Sequence, residues 1–484
     1  MMGIKSYQEK MFYNFSLTSR IPEDHLIRRI DKVVDLDFIR ELVADKYSHT
    51  GQRSIDPEVL FKMMLIGYLY GITSERRLAE DIAVNMAYMW YLGYDVDEQT
   101  PHHSVISKAR ARYGKAVFEE FFNRILEQCV KAGLVNGEKV FADSTIIRAD
   151  ASLKSLVPRQ EAIEPVLSSK EFVDKVFSEN KVEPDIDEKN DSKPNNNNQQ
   201  VSSIPKQGCS NKTYVSKTDP ESAIACHGDK LPLQLAYKEH FTVDSHARVI
   251  TAVEITNASI DDGSQLSKLI EQQPVPIKEL CADTKYGTFQ NYAYLIKRNI
   301  LPSISPWQGG NPSKEKRFAH NQFAYDSETD TYICPGGNRL CKGNDKLSKD
   351  RFTYRAKKRD CKCCNLKEKC ITSYKGYRLI FRHTLHEFKD KAMLHLATDH
   401  AKETLRQRKF FAEWINAESK TRHGLRRAMF RGLDNVSMQV LMTASVQNIK
   451  RLVAHISKLP QNFKELSVQM QYSLRFCIYQ VVFA

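Results

Sequence analysis

Two aspartates lie in segments predicted to be strands. Asp143 is in the middle of the apolar, β-branched run 140–147, which is typical of a buried strand, and Asp283 ends the short strand 277–283. Phosphodiester cleavage at neutral pH uses two divalent ions about 4 Å apart, and carboxylate oxygens suit Mg²⁺ or Mn²⁺. The aspartates are 140 residues apart in sequence. If they share such a site, a third carboxylate should come from a later helix.

The basic segment from Ala401 to Arg431 is the best source of that third carboxylate. It has nine Lys or Arg residues and three acidic ones, a balance that suits contact with a DNA backbone. Glu413 and Lys420 are seven residues apart, so on a helix both lie on one face. One could then hold metal while the other contacts a phosphate. The alternative is a solvated helix with ion pairs between residues four apart.

The charge of the whole chain also favours a polyanionic partner. Its 484 residues contain 72 Lys and Arg against 59 Asp and Glu, a net charge of +13 at pH 7, so nucleic acid is the leading candidate. Residues 1–130 are predicted to be an all-helical DNA-binding domain of helix-turn-helix type. A basic helix of this kind is also typical of a solvated face. The side chains expected to contact DNA here are Arg76, Arg77, Lys108, Arg110 and Arg112.

A mixed α/β sheet is predicted over residues 138–309. Its elements are the strand around Asp143, a hairpin of 237–243 and 249–255, a helix that follows, and the strand that Asp283 ends. The sheet would bring the two aspartates together from distant parts of the sequence.

The rest of the chain divides by composition. The stretch 168–215 is rich in charged residues and Asn without any period, which predicts a mobile insertion. Residues 386–455 are predicted to be a C-terminal helical part, and no role is predicted for the tail 456–484. Because no segment has the features of a signal peptide or a membrane span, we expect a cytoplasmic protein without membrane contact.

Six of the eleven cysteines fall within residues 310–385, and this clustering indicates metal. The spacing of Cys334, Cys361, Cys364 and Cys370 is compatible with a tetrahedral, structural zinc site, for which Cys341 and Cys363 compete as ligands. The alternative is a set of reduced, partly buried thiols.

Together these motifs resemble the bacterial insertion-sequence transposases of the DDE type, most of all the IS1182 branch of the IS4/IS5-like group. The resemblance covers most of residues 15–455 and depends on five motifs that follow the family's order. They are the run Ile55–Gly114, FADSTIIRADAS at 141–152, KTDP at 217–220, ADTKYG at 282–287 and EWINAESKTRHGLRRAMFRGL at 413–433.

The resemblance implies a ribonuclease H-like catalytic domain behind a helical DNA-binding domain, interrupted by the Cys-rich insertion. Asp143, Asp283 and Glu413 match the family's acidic triad, and Lys420 matches its basic residue two turns later. The implied function is DNA transposition: binding of terminal inverted repeats in double-stranded DNA by a homo-oligomer, then Mg²⁺- or Mn²⁺-dependent cleavage and strand transfer. A catalytically decayed copy, or a DNA-binding protein without catalysis, is the alternative. Phosphate contacts are expected from Lys409, Arg422, Arg426 and Arg427.

The sequence departs from the family at three positions. Relatives often have a Tyr and an Arg seven and four residues before the catalytic Glu, where this chain has Arg406 and Lys409. Lys409 keeps the charge but cannot form the bidentate contact of an arginine with phosphate. Many relatives also have Gly where this chain has Lys285.

Overall fold

The computed structural model of the protein describes residues 15–48, 50–159, 210–226, 232–306, 318–343, 350–371 and 376–458. The predicted mobile insertion falls mainly on residues 160–209 and the tail mainly on residues 459–484. Both predictions therefore concern residues outside the described part.

The described N-terminal part is helical. Asp56 accepts a hydrogen bond from the Glu58 amide (2.9 Å) and so caps the helix that Pro57 opens, and Gly71 ends it in the left-handed conformation. The segment between Gly71 and Gly93 forms two helices, because Asn85 ends the first and its side chain caps the second. The helices are Leu17–Arg20, Leu26–Val33, Phe38–Leu42, Pro57–Tyr70, Glu75–Val84, Met86–Leu92 and Ser104–Lys131, the last kinked at Gly114.

The strands follow in three sheets. In chain order they are β1 Lys139–Arg148, β2 Leu156–Pro158, β3 Tyr214–Ser216, β4 Ala223–Ala225, β5 Gln234–Asp244, β6 Ile250–Asn257, β7 Glu279–Ala282, β8 Leu301–Ile304, β9 Ala324–Asp326, β10 Thr331–Ile333, β11 Arg339–Lys342, β12 Arg351–Ala356 and β13 Leu379–His383. Within the part of the chain that the structure describes, β2 and β3 pair only with each other.

The main sheet is mixed, with β1 in the middle. On one side β1 pairs antiparallel with β5, whose other edge pairs with β6 and the short β4. On its other side β1 pairs parallel with β7, and β7 pairs parallel with β8. The prediction of a mixed α/β sheet is confirmed, including the hairpin of β5 and β6.

The region predicted as the Cys-rich insertion forms a second, antiparallel sheet in the order β13-β12-β11-β10-β9. It has its own apolar core, built around the buried side chains of Tyr332, Leu340 and Tyr354. Two short helices, Lys358–Lys362 and Lys367–Cys370, connect β12 to β13.

The later helices flank the main sheet. They are Leu266–Glu271, Phe289–Lys297, His386–Leu396, Asp399–Arg408, Trp414–Arg422 and Leu433–Lys458, with a π-helical turn at Lys409–Glu413. Among the described residues, no helix has both the length and the hydropathy of a membrane span.

The helix Leu433–Lys458 joins the N-terminal helices to the sheet. Its buried side chains belong to one apolar cluster with those of the helices Pro57–Tyr70 and Ser104–Lys131 and of β5 and β6. The His423 Nδ1 atom also lies 2.7 Å from the Tyr68 carbonyl oxygen. The N-terminal helices therefore share a core with the sheet.

Candidate active site

Asp143 and Asp283 lie at the same place in the main sheet. Ala142 of β1 pairs in register with Ala282 of β7, and each aspartate is the next residue along its strand direction. Because β1 and β7 are parallel and in register, the two aspartates follow paired residues and lie side by side. Residues 140 positions apart in sequence are thus neighbours in the fold.

Hydrogen bonds and an ion pair hold the Asp143 carboxylate. Its Oδ1 accepts from the Ser144 amide (2.9 Å) and lies 3.5 Å from Arg408 Nη1, while its Oδ2 accepts from Asn416 Nδ2 (3.2 Å). The side chain is only 14% exposed. Burial raises the pKa of Asp143 to about 6, although Arg408 and the Ser144 amide oppose the rise.

The other two predicted acids act on Asp143 electrostatically. Asp283 and Glu413 both raise its pKa further, as negative charges near a carboxylate do. Glu413 is exposed at the end of the π-helical turn, and Asp283 accepts a hydrogen bond from the Thr284 amide (2.7 Å). The structure brings the three acids into one electrostatic neighbourhood.

The π-helical turn changes which basic residue faces Asp143. Relatives have an arginine four residues before the glutamate, where this chain has Lys409, and Lys409 is exposed. In a π-helix the bonded residues are five apart instead of four. Arg408 precedes Glu413 by five residues, and it is Arg408 that contacts Asp143. With the π-helical turn, Arg408 and not Lys409 is the residue beside Asp143.

Lys420 is half-buried and has an acidic neighbour that the sequence analysis missed. Burial lowers the pKa of Lys420, while Glu239 and Asp143 act in the opposite direction. Glu239 is 2% exposed and lies on β5 opposite Thr145, which is on the same face of β1 as Asp143. Burial raises the pKa of Glu239 to about 8, against the effect of Lys420. The three successive polar residues at 238–240 inside an apolar strand are the signal that could have found it.

Lys285, which replaces the family's glycine, is held in place. Its Nζ lies 3.2 Å from Asp262 Oδ2, and Lys238 Nζ lies 2.6 Å from Asp262 Oδ1. Asp262 is 2% exposed. The lysine thus adds a positive charge, paired with Asp262, two residues after Asp283.

The predicted DNA contacts of the N-terminal helices have mixed outcomes. Arg76, Arg77, Lys108 and Arg112 are exposed, as a DNA contact requires. The prediction for Arg110 is wrong, because its side chain is 8% exposed, pairs with Glu75 and lies 3.6 Å above the Phe430 ring. Arg110 instead fastens the N-terminal helices to the segment after Lys420.

The basic residues of the C-terminal segment are exposed but differ in their partners. Lys409, Arg422 and Arg426 are exposed, and the Arg426 Nε donates to the Lys420 carbonyl oxygen (3.3 Å). Arg427 pairs with Asp150 (2.6 Å), which also lies 3.3 Å from Arg431.

The four predicted zinc ligands lie near one another beside the second sheet. A Cβ atom built on Gly336 would lie 3.5 Å from the Cys364 Sγ and 3.7 Å from the Cys334 Sγ. The Cys334 Sγ accepts a hydrogen bond from the Asn338 amide (3.3 Å), and the Cys364 Sγ accepts one from the Leu366 amide (3.4 Å). Burial chiefly raises the pKa of Cys370, and the thiols of Cys361, Cys334 and Cys364 raise it further. The competing Cys341 and Cys363 are exposed.

Neither cluster has the arrangement of bound metal. Among the described residues, no group of three or more His, Cys, Asp or Glu side chains is placed to hold an ion. At the acidic site, Arg408 Nη1 lies 3.5 Å from Asp143 Oδ1. The donor types nevertheless fit: carboxylate oxygens suit Mg²⁺ or Mn²⁺, and four sulfurs suit zinc.

Two family models match the chain. Residues 15–112 match a transposase domain (DUF772), and residues 333–453 match a transposase DDE domain. Among solved structures, the cryo-EM structure of a piggyBac transposase synaptic complex with hairpin DNA matches at 8% identity and a TM-score of 0.25, over 92% of this chain and 84% of that chain. None of the curated proteins matches.

Proposed function

This chain belongs to the DDE transposases of insertion sequences, and we propose that Asp143, Asp283 and Glu413 are the acids with which it cleaves and joins DNA. One observation carries the proposal: the in-register pairing of Ala142 with Ala282 puts the two aspartates side by side, within electrostatic reach of Glu413. A protein that only bound DNA would gain nothing from gathering carboxylates, since they repel phosphates unless metal lies between.

The strand order supports a ribonuclease H-like catalytic domain. A hairpin strand, its partner and a central strand run antiparallel as β6-β5-β1, and two parallel strands, β7 and β8, complete the sheet. The proposed acids then lie on the central strand, on its parallel neighbour and on a later helix. Membership in the IS1182 branch stays a prediction.

The residues that would hold Mg²⁺ or Mn²⁺ are Asp143, Asp283 and Glu413. Such ions, when bound, activate the attacking oxygen and stabilise the leaving one. The burial of Asp143 keeps bulk water away from one side of the site. Arg408 balances the negative charge of Asp143 and, with Lys420, offers positive charge to a scissile phosphate.

We assign the family's arginine role to Arg408, and Lys409 to a backbone contact at the surface. The assignment rests on the π-helical turn and on the 3.5 Å contact between Arg408 Nη1 and Asp143 Oδ1. A guanidinium can bind two phosphate oxygens at once, which an ammonium cannot. With this assignment, the replacement of the family's arginine by Lys409 does not remove the arginine from the acidic site.

The test is cleavage of duplexes that carry the element's terminal inverted repeats, identified in the DNA that flanks the gene, by the full chain with Mg²⁺ or Mn²⁺. We expect Asp283→Asn and Glu413→Gln to abolish cleavage and to keep end binding. Glu403→Gln, an exposed acid that pairs with Arg406, is the matched control and should cleave normally. Full activity in either triad variant would overturn the assignment. A wild-type chain that binds ends but never cleaves would favour a decayed copy.

We further propose that Cys334, Cys361, Cys364 and Cys370 bind a structural zinc ion. Two of these sulfurs accept backbone hydrogen bonds, which stabilise thiolates. The thiols of Cys361, Cys334 and Cys364 all raise the pKa of Cys370, against the effect of Arg378, so the four sulfurs are electrostatic neighbours. The proposed partner is double-stranded DNA, bound by more than one copy of the chain.

A further inference from the structure

A pocket of about 780 Å³ opens on another face of the helical segment that carries Glu413. Three elements line it: the turn between β5 and β6, the segment 410–422, and the end of the helix Leu433–Lys458. The proposed acids and Lys420 do not line it. It is therefore separate from the acidic site but shares a helix with it.

Two aromatic side chains are left exposed at this pocket. Phe410 is 57% exposed and Trp414 is 52% exposed, although both are large apolar residues. Both rings lie against the Arg248 guanidinium. Between them in sequence, Phe411 stacks on the buried Phe141 ring (4.8 Å between centroids) and anchors the segment to β1. The exposed rings are thus presented by a fixed part of the fold.

Arg248 completes the aromatic wall. Its guanidinium carbon lies 3.8 Å from the Phe410 ring centroid and 4.3 Å from that of Trp414. Its backbone φ is 58°, in the left-handed region, which costs a residue with a side chain about 1 kcal/mol or more. A turn that needed only this backbone would be served better by glycine or asparagine. The contacts of the Arg248 side chain with the two rings explain why an arginine occupies this strained position.

The lining is strongly positive. Among the described residues that line the pocket, the one carboxylate is that of Glu418, which is already paired with Lys450 and Arg451. The cations around the pocket are Arg248, Arg422, Lys450, Arg451 and Lys458. Such a surface repels other cations and attracts a polyanion.

We propose that this pocket binds an unpaired nucleotide of the DNA substrate, with its base stacked on Trp414 or Phe410 and its phosphates against the surrounding cations. Exposed aromatic rings interleaved with basic residues are how single-stranded nucleic acid is bound without sequence preference. The volume suits one small group and not a duplex. The surplus of cations over Glu418 argues against an uncharged protein surface as the occupant. The inference rests on the proposed function, because DNA bound at the proposed acids would lie beside the segment 410–422, which also lines this pocket.

The test compares two DNA substrates on the full chain in EDTA, which prevents cleavage. One duplex is blunt, and the other carries three unpaired nucleotides with 2-aminopurine at the first, whose fluorescence falls when it stacks. For Trp414→Ala we expect about a tenfold or larger loss of affinity for the unpaired substrate, loss of the quenching, and unchanged affinity for the blunt duplex. Trp414→Phe should keep most of the affinity.

Phe352→Ala is the matched control, because Phe352 is an exposed ring with Lys342 Nζ 3.8 Å above it in the second sheet. It should change neither affinity nor quenching. Equal losses on both substrates, or undiminished quenching in Trp414→Ala, would overturn the proposal, as would a Trp414→Ala effect confined to oligomeric state. The quenching is independent of the triad: if Glu413→Gln cleaves normally while quenching depends on Trp414, the proposed catalytic acids fail and the pocket stands.

Discussion

Replacing Asp143 by Asn should make the metal-free protein more stable while abolishing cleavage. Asn has nearly the shape of Asp and can still accept the hydrogen bond from the Ser144 amide. It removes a negative charge from a side chain that is 14% exposed and has Asp283 and Glu413 nearby. The proposed metal binding needs that charge, whereas the folded state is more stable without it.

The magnitude follows from the pKa of Asp143, which rises from an ordinary value of 3.8 to about 6. At about 1.4 kcal/mol per factor of ten in the proton affinity, the ionised carboxylate costs the folded state about 3 kcal/mol at pH 7.5. The sign is that of a raised carboxylate pKa: the folded state binds the proton more tightly, so the penalty grows as pH rises from about 4 to about 6. At pH 5 about half of the penalty remains.

Thermal unfolding in EDTA at pH 7.5 and pH 5 is the assay. We expect Asp143→Asn to unfold a few degrees above the wild type at pH 7.5, with a smaller difference at pH 5. Asp283→Asn is the control, because Asp283 is only partly buried and its loss relieves little burial cost. A melting temperature for Asp143→Asn at or below that of the wild type at pH 7.5, or an advantage that grows on acidification, would refute the reasoning.

Three further experiments test other parts of the fold. Arg408→Gln should reduce cleavage at least tenfold. It should also raise the pH midpoint of Mn²⁺ binding, measured by calorimetry, because the pKa of Asp143 rises when its arginine partner is removed. Lys409→Gln is the control and should leave that midpoint unchanged. Cys361→Ser should lower the zinc content of protein purified without added zinc, measured by elemental analysis, from about one equivalent to a small fraction, and increase proteolysis within residues 318–385. The double change of Lys108 and Arg112 to Ala should weaken binding to element ends and flatten its salt dependence, read from titrations at several salt concentrations, because two phosphate contacts are lost.

Strand positions were predictable because the chain marks them locally. The β-branched run around Asp143 and the hairpin of β5 and β6 have patterns that hold without tertiary information. The capping residues Asp56 and Gly71 likewise identify the ends of one helix. These are short-range effects, so sequence spacing expresses them directly.

The errors came from long-range contacts. Arg110 belongs to a basic helix, but its burial depends on Glu75 and Phe430, the second of which is 320 residues away in sequence. The π-helical turn at Lys409–Glu413 is local, but five residues are too few to show its period, so the contact of Arg408 with Asp143 was not predicted. Glu239 was missed because apolar alternation says nothing about which strand face meets Lys420.

The shared core changes how DNA binding should be tested. Deleting residues 1–114 would expose the buried face of the helix Leu433–Lys458, so a loss of end recognition could follow from unfolding alone. Surface substitutions such as those at Lys108 and Arg112 avoid this ambiguity.

Electrostatics also limits how closely the three acids can approach one another. Three carboxylates drawn to one point repel each other, and the repulsion is tolerable only where cations compensate it. Arg408 supplies that compensation at Asp143, and Lys420 also lies within electrostatic reach of Asp143. Divalent ions would make the Arg408 contact redundant, which leaves its guanidinium available for DNA. The contact with Asp143 and the proposed contact with phosphate are then alternative positions of one side chain, and Arg408→Gln should impair both the metal-free site and the DNA-bound one.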